Sequence, residues 1–283
     1  MKIIITLTIL ITSTLLGGIQ DRYPSYKDIF KSYDIQESFI FNKNFIDFVN
    51  KNERRFRKNY ISMLKSNKDV IFPTLVILSE ELSSKYLNIY IPIIESSLKI
   101  NNRSKTGATG LWQFITMTGR ESGLIMNKYV DQRNDPILST INGFKYLDKM
   151  INKTPNHKYL GLMAYNSGYG YMSRRANNNY DLSFLISNQS PIKKETKDYI
   201  KKFLLMAMIG ENHRFINDPE IESIKDSSRG DFLIKIDLKK LRNFKYVSNK
   251  YNISKKILRK YNQQFKRKNP IFRYINIPSS YLN

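Results

Sequence analysis

Between Tyr86 and Glu211 the apolar residues recur at helical spacing, and no stretch alternates as a half-buried strand would. Asp135-Pro136 offers an N-cap followed by a first-turn proline, and Ile137, Ile141, Phe144, Leu147 and Ile151 then fall on one face. Tyr159 to Asn166 reads as a short buried helix stopped by Ser167-Gly168-Tyr169-Gly170. Pro191 precedes a helix that carries Tyr199, Phe203, Met206 and Ala207 and ends at Gly210. The span 86–212 is expected to be an all-α domain, and the chain as a whole mainly α.

The flanks read differently. Residues 19–85 are expected to form a helical N-terminal region, with Phe45 to Leu64 rich in Lys, Arg, Asn and aromatics and Thr74 to Leu82 apolar. Residues 213–230 form a polar linker around Asp218-Pro219 and Asp226 to Gly230. Residues 231–283 read as a small β-α-α-β module. Its strands are Phe232 to Ile236 and Ile271 to Ile277, and its helices are Leu238 to Tyr251 and Ser254 to Tyr261, with Ser254 as a cap. At the other end, Lys2, an apolar run from Ile3 to Leu16, and Gly17-Gly18 have the layout of a secretory signal peptide over residues 1–18. An uncleaved anchor is the alternative, and either takes the rest of the chain out of the cytoplasm.

Composition removes several chemistries. The 283 residues include no Cys, which excludes disulfides, thiol catalysis, Cys-ligated zinc and a lipid-bearing Cys. His157 and His213 are far apart and lack carboxylates at ligand spacing, so no metal is expected. No glycine-rich phosphate loop occurs, and no cofactor is expected. The net charge is +23. One reading is attraction to an anionic polymer, whether nucleic acid, anionic lipid or cell wall. The other is a coding bias toward Lys, Asn and Ile. Export argues against nucleic acid and leaves the envelope.

What remains is a carboxylate in an apolar setting. Ile91-Pro92-Ile93-Ile94 runs directly into Glu95. Partial desolvation would favour its protonated form, and a protonated carboxyl can donate to a glycosidic oxygen. A surface Glu that merely follows a buried turn is the competing reading. Downstream, Ser104 to Gln113 contains Gly107, Gly110 and the only Trp, Trp112. Glycines let backbone approach a ligand. Gln113 and Asn166 offer amides suited to N-acetyl and hydroxyl groups, and Tyr165 could hydrogen-bond the acid. Trp112 could stack on a sugar or lie in the core.

Four ordered motifs carry a resemblance. They are Glu95-Ser96, the run Ser104 to Gln113, Ala164-Tyr165-Asn166-Ser167-Gly168, and Glu195-Thr196-Lys197-Asp198-Tyr199. In order and spacing they resemble the lytic transglycosylase family of the soluble-transglycosylase, goose-lysozyme-like type. The likeness covers roughly Tyr86 to Glu211. The tail is similar to the LysM-type module that follows this domain in membrane-bound members, through Leu258 to Asn262 and Phe265-Lys266-Arg267.

The resemblance implies a lysozyme-like helical catalytic domain and a wall-binding tail, acting on peptidoglycan glycan strands in the periplasm or cell envelope, with association at the envelope membrane surface. It implies Glu95 as the catalytic acid and then base, with Ser104 and Gln113 lining the sugar site. Tyr165 would orient Glu95, Asn166 would bind an N-acetyl sugar, and Tyr199 would close the site. Gly107, Gly110 and Gly168 would shape backbone. Bland alternatives stand beside these roles: Ser104 as a turn cap, Tyr199 as core, and Glu195 as a helix-start residue favoured by the helix dipole. Relatives often carry Met at the Trp112 position. The motifs offer one carboxylate where ordinary glycosidases use two. A hydrolytic muramidase would need a second, from Asp131, Asp135 or Glu121. A non-catalytic wall-binding protein is the rival from another class.

Overall fold

The computed structural model describes residues 17–67, 70–212, 230–267 and 270–282. The expected signal segment (save Gly17 and Gly18), the expected linker (save Gly230) and His213 lie outside the described residues. Contacts divide the chain into two compact units, residues 1–60 with 149–222, and residues 61–148 with 223–283. The expected mainly α class holds, with one small two-stranded antiparallel sheet. Among the described residues, no helix is long and apolar enough to cross a membrane.

The first unit contains α1 (Ile19–Arg22), α2 (Tyr26–Ser32) and the first part of α3 (Lys43–Asn67). It resumes at the end of α7 (Pro136–Asn152) and continues with α8 (Lys158–Ser167), α9 (Tyr169–Ala176), α10 (Leu182–Leu185) and α11 (Lys194–Glu211). Every residue of α11 from Phe203 to Gly210 is buried. A helix apolar on all sides belongs at the centre of its core, and α8 and α2 both pack on it. Tyr33 meets Phe203 edge-on at 5.1 Å between ring centroids.

Ser167-Gly168 stops α8 as expected, but the helix restarts at once. Gly168 has φ 85°, which glycine adopts without a Cβ penalty, and this turns the chain. Its N–H donates back to the Ala164 carbonyl at 2.7 Å, while its own carbonyl accepts from Met172 N and opens α9. The N-terminal region, silent as sequence, anchors α8. Asp34 accepts from the Lys158 backbone N–H at 3.1 Å and pairs with Lys158 Nζ at 2.7 Å, and Tyr159 N donates to the Tyr33 carbonyl.

The second unit holds the rest of α3, then α4 (Ile71–Glu81), α5 (Tyr90–Ser96), α6 (Thr116–Glu121) and most of α7, followed by the C-terminal module. That module runs β1 (Leu233–Asn243), α12 (Phe244–Lys250), α13 (Lys255–Tyr261) and β2 (Ile271–Pro278). The β-α-α-β order is as expected, but β1 continues where a helix from Leu238 was expected. Asp237 is held by Arg273 of β2 through two bonds of 2.9 and 2.8 Å. Lys239 then takes a left-handed φ of 64°, a register irregularity follows, and pairing resumes at Arg242. Helix begins only where the Asn243 side chain can cap it, accepting from Tyr246 N at 3.0 Å. Ser254 caps α13 as predicted, accepting from Ile257 N.

Between α5 and α6 the chain forms a loop with isolated bridges, Arg103 with Thr109 and Thr109 with Phe114. Its fastener is Arg133, which is 6% exposed. The guanidinium donates to both Asp131 carboxylate oxygens, at 2.9 and 2.8 Å, and to the carbonyls of Gly107 and Phe114 at 3.1 and 3.0 Å. Burial would push the Asp131 carboxyl up, but hydrogen bonds and charge from Arg133, with a contribution from Lys266, outweigh it and hold Asp131 below the usual carboxylate range.

Two outcomes are expected. Asp34→Ala should lower folding stability by about 1–2 kcal/mol in urea denaturation, through loss of the α8 cap and a partly shielded ion pair. Arg133→Ala should cost about 3–5 kcal/mol, because it strands a buried carboxylate. Since the folded-state value of Asp131 is depressed, its contribution is present above an unfolded value of about 3.9 and is lost as pH falls through the folded one. Acid unfolding below about pH 4 should therefore be shallower in Asp131→Asn than in the parent chain.

Candidate active site

Glu95 is the penultimate residue of α5 and is half-buried, following buried Ile91, Pro92 and Ile93. The helix ends there because Ser97 and Leu98 both take left-handed φ, 51° and 58°. Ser96 is buried and returns its hydroxyl to the Pro92 carbonyl at 3.0 Å.

The loop after α5 holds Ser104, Gly107, Gly110 and Gln113 together. Ser104 Oγ accepts from Ala108 N at 3.0 Å, and Ser104 N donates to the Ala108 carbonyl at 2.8 Å. Ser104 thus caps its own turn while its side chain stays partly exposed. Gly107 and Gly110 have φ 84° and 88°. At Gly110 a Cβ would stand 1.8 Å from the Arg133 carbonyl oxygen, so no other residue fits. Gln113, at φ 48°, donates its amide to the carbonyls of Asn102 and Gly110 at 3.1 and 2.8 Å. This fixes the side chain and leaves its Oε1 as the group available to a ligand. Thr109 Oγ1 reaches the Asn102 carbonyl and Asn134 Oδ1, completing the clasp.

Trp112 is core. It is 0% exposed, donates Nε1–H to Thr140 Oγ1 at 3.1 Å and packs edge-on against Phe144 at 4.9 Å. Gly143 makes room for it, since a Cβ there would lie 2.1 Å from the indole. The sugar-stacking alternative is thereby removed.

Two of the three carboxylates named as candidate second groups are engaged elsewhere. Both oxygens of Asp131 face Arg133. Asp135 is 1% exposed. Its Oδ1 accepts from Ile137 N, Leu138 N and Asn276 Nδ2, and its Oδ2 from Lys235 Nζ. Glu121 is exposed at the end of α6.

The first unit carries the other three residues. Tyr165 and Asn166 sit in the last turn of α8, half-buried. Asn166 Oδ1 accepts from Thr196 Oγ1 at 3.0 Å, which leaves its amide N–H groups as donors. Tyr199 of α11 is buried, with its ring parallel to that of Tyr165 at 6.5 Å. Glu195 lies exposed in the first turn of α11. Sequence reasoning missed Asn102, Arg133 and Asn134. Their contribution depends on which carbonyls the folded loop presents, and no local spacing signals that. Among the described residues, no group of three His, Asp or Glu could hold a metal ion.

Residues 78–187 match the Transglycosylase SLT domain family. Over 127 residues the chain is 30% identical to the membrane-bound lytic murein transglycosylase D of Escherichia coli K12, covering 44% of this chain and 28% of that protein. It is 33% identical over 84 residues to the membrane-bound lytic murein transglycosylase F of Shewanella sediminis, covering 28% of this chain and 16% of that one. Among solved structures, an inactive mutant of the lytic transglycosylase Slt from Pseudomonas aeruginosa aligns with a TM-score of 0.40 at 22% identity, over 52% of this chain and 24% of that one. The chain thus spans less than a third of the length of either curated relative. The matched residues include every motif from Glu95 to Gly168, and Tyr199 lies beyond them. Residues 78–187 of this chain are thus similar to the Transglycosylase SLT domain.

Proposed function

We propose that this chain is a peptidoglycan lytic transglycosylase. It cleaves the β-1,4 bond between N-acetylmuramic acid and N-acetylglucosamine without water and leaves 1,6-anhydromuramyl ends. The observation that carries the reading beyond the domain match is the disposition of carboxylates. Asp131 and Asp135, the buried candidates for a second catalytic group, have all their oxygens bonded within the fold. A hydrolytic pair needs a second carboxylate to be nucleophile or to activate water. A single one suits an intramolecular reaction.

In that reaction Glu95 gives its proton to the glycosidic oxygen as the bond from C1 breaks, with the muramyl N-acetyl group assisting departure. The 6-hydroxyl of the same sugar then attacks C1 and returns its proton to Glu95. The carboxyl thus ends as it began. Gln113 Oε1 and the Ser104 hydroxyl receive sugar hydroxyl or amide groups. Asn166 uses its amide N–H for an N-acetyl carbonyl, Tyr165 orients Glu95, and Tyr199 supports Tyr165 through the parallel ring contact.

The resemblance supports residues 86–212 as the catalytic domain and residues 231–283 as a LysM-like module that retains the enzyme on the wall. The layout of residues 1–18 supports export to the periplasm or envelope, and the +23 charge supports contact with the anionic membrane surface.

Digesting purified peptidoglycan with the chain and weighing the muropeptides tests the reading. Anhydro ends are expected, and reducing ends would assign a hydrolytic muramidase instead. Glu95→Gln should reduce lysis by at least about a thousandfold, the scale for removing a proton donor that also serves as base, while pelleting with insoluble wall is unchanged. Undiminished lysis by that variant would remove Glu95 from the mechanism.

A further inference from the structure

A cleft of about 710 Å³ lies in the second unit, between residues 129–138 and the end of the C-terminal module. Backbone bonds fasten its two sides. Asp131 N donates to the Gln264 carbonyl at 2.8 Å and Lys266 N to the Tyr129 carbonyl at 3.0 Å, with Val130 bridged to Phe265. It is a built feature, and none of the sugar-site residues proposed above lines it.

Three of its groups point to a ligand. First, the Arg267 guanidinium lies over the Tyr129 ring, 4.1 Å from its centroid. Among the described residues it has neither a carboxylate partner nor a hydrogen bond. The other lining cations are engaged: Lys235 by Asp135 at 2.9 Å and Arg273 by Asp237 at 2.8 Å. A guanidinium steadied on an aromatic face presents a planar fork of N–H donors that matches a carboxylate.

Second, Gln264 is 3% exposed, and its Oε1 has no hydrogen-bond partner among the described residues. The orientation of this amide is fixed by its neighbour. Asn262 donates its Nδ2 to the Leu258 and Asn276 carbonyls, so its Oδ1 must be the acceptor, and it takes Asn276 N. Gln264 must therefore offer Nε2 to Asn262 Oδ1, which it does at 3.1 Å. Its carbonyl is left as a buried acceptor without a partner among the described residues. Native folds seldom leave such a group unsatisfied.

Third, Ile271 and Tyr274 of β2 give the cleft an apolar, well-exposed flank, 70% and 47% accessible.

We infer that this cleft binds a short carboxylate-bearing peptide of the kind attached to muramic acid in peptidoglycan. The identification of that source rests on the proposed function. A neutral N-acetylglucosamine strand could stack on the tyrosines but leaves the guanidinium without an anion. A peptide supplies both accessible complements: a carboxylate for Arg267 and small apolar side chains for the Ile271 flank. A cleft of this kind reads the peptide substituents of the strand and leaves the glycan to the SLT domain.

Calorimetric titration of the full chain tests this with three probes: the tripeptide L-alanyl-γ-D-glutamyl-diaminopimelate, the same tripeptide with its carboxyls amidated, and chitotetraose. Binding of the free tripeptide is expected. Amidation, or Arg267→Ala, should weaken it about tenfold to a hundredfold, the scale for losing a hydrogen-bonded charged partner. Arg267→Lys should restore only part of it, because an ammonium cannot bind bidentately. Arg267 is exposed, so these variants should keep the parent's melting temperature. Equal binding of the free and amidated tripeptides, equal binding by Arg267→Ala, or no binding by the parent chain would overturn the inference. Weakening confined to chitotetraose would overturn it in favour of a glycan groove. Free tripeptide binding involves no bond cleavage, so this result and the anhydro-product assay can fail independently.

Discussion

The buried pair of Arg133 and Asp131 holds the candidate site in shape. An ion pair with side chains this deeply buried gains little net stability over apolar packing, because both charges must be desolvated. What it contributes here is position. Two guanidinium nitrogens satisfy the carboxylate, and a third reaches the Gly107 and Phe114 carbonyls at opposite ends of the loop. The loop cannot relax without stranding a charge. Gly110 is the counterpart of that constraint, since the Arg133 carbonyl occupies the space a Cβ would need. Gln113 is then oriented by carbonyls that this arrangement fixes.

A second buried carboxylate four residues on does related work. Asp135 caps α7 and at the same time receives Lys235 and Asn276 from the two strands of the C-terminal module. One side chain thus starts the helix that carries Thr140 and Phe144 under Trp112 and ties the module to that helix. Both aspartates are therefore structural groups whose lone pairs face protein donors. The chemistry proposed for Glu95 follows partly from this allocation. On the proposed reading, with Asp131 and Asp135 committed to scaffolding, the reacting sugar supplies the nucleophile.

Much of the helical framework was legible in the sequence, because caps and apolar periodicity are local. Asp135-Pro136, Gly168 and Ser254 each act at the helix ends where their chemistry predicts. The errors lie where non-local contacts decide. The helix expected from Leu238 gives way to strand because Arg273, distant in sequence but on the paired strand β2, holds Asp237. The restart of helix at Tyr169 was hidden because one glycine can both end and begin a helix. In the site, residue types were readable while their commitments were not. The sequence offers Gln113 as an amide for sugar, and only the folded loop shows that its N–H groups are taken and its oxygen remains. For Trp112 the sequence leaves sugar stacking and core both open, and Gly143, which makes room for the indole, decides for the core.

The surplus of 47 basic over 24 acidic residues could begin as a coding bias and still act as a device. The scarce acids are drawn into pairs: Asp34 with Lys158, Asp131 with Arg133, Asp135 with Lys235, Asp198 with Lys194 and Lys201, and Asp237 with Arg273. Pairing does not change the net charge, so the +23 excess stays with the molecule. Many of the cations are exposed, as Lys51, Arg54, Arg55 and Lys58 are along α3. Whatever set the composition, an anionic polymer or lipid surface meets a net positive field. Within a Debye length of roughly 8 Å at physiological salt, that field favours encounter over escape. On the proposed function, whose substrate is an insoluble, largely anionic mesh, residence near the surface would raise the number of bonds tested per encounter. On the same proposal, the charge would act on the rate of finding the strand, while Glu95 and the clasped loop that presents Gln113 would act on the step that cuts it.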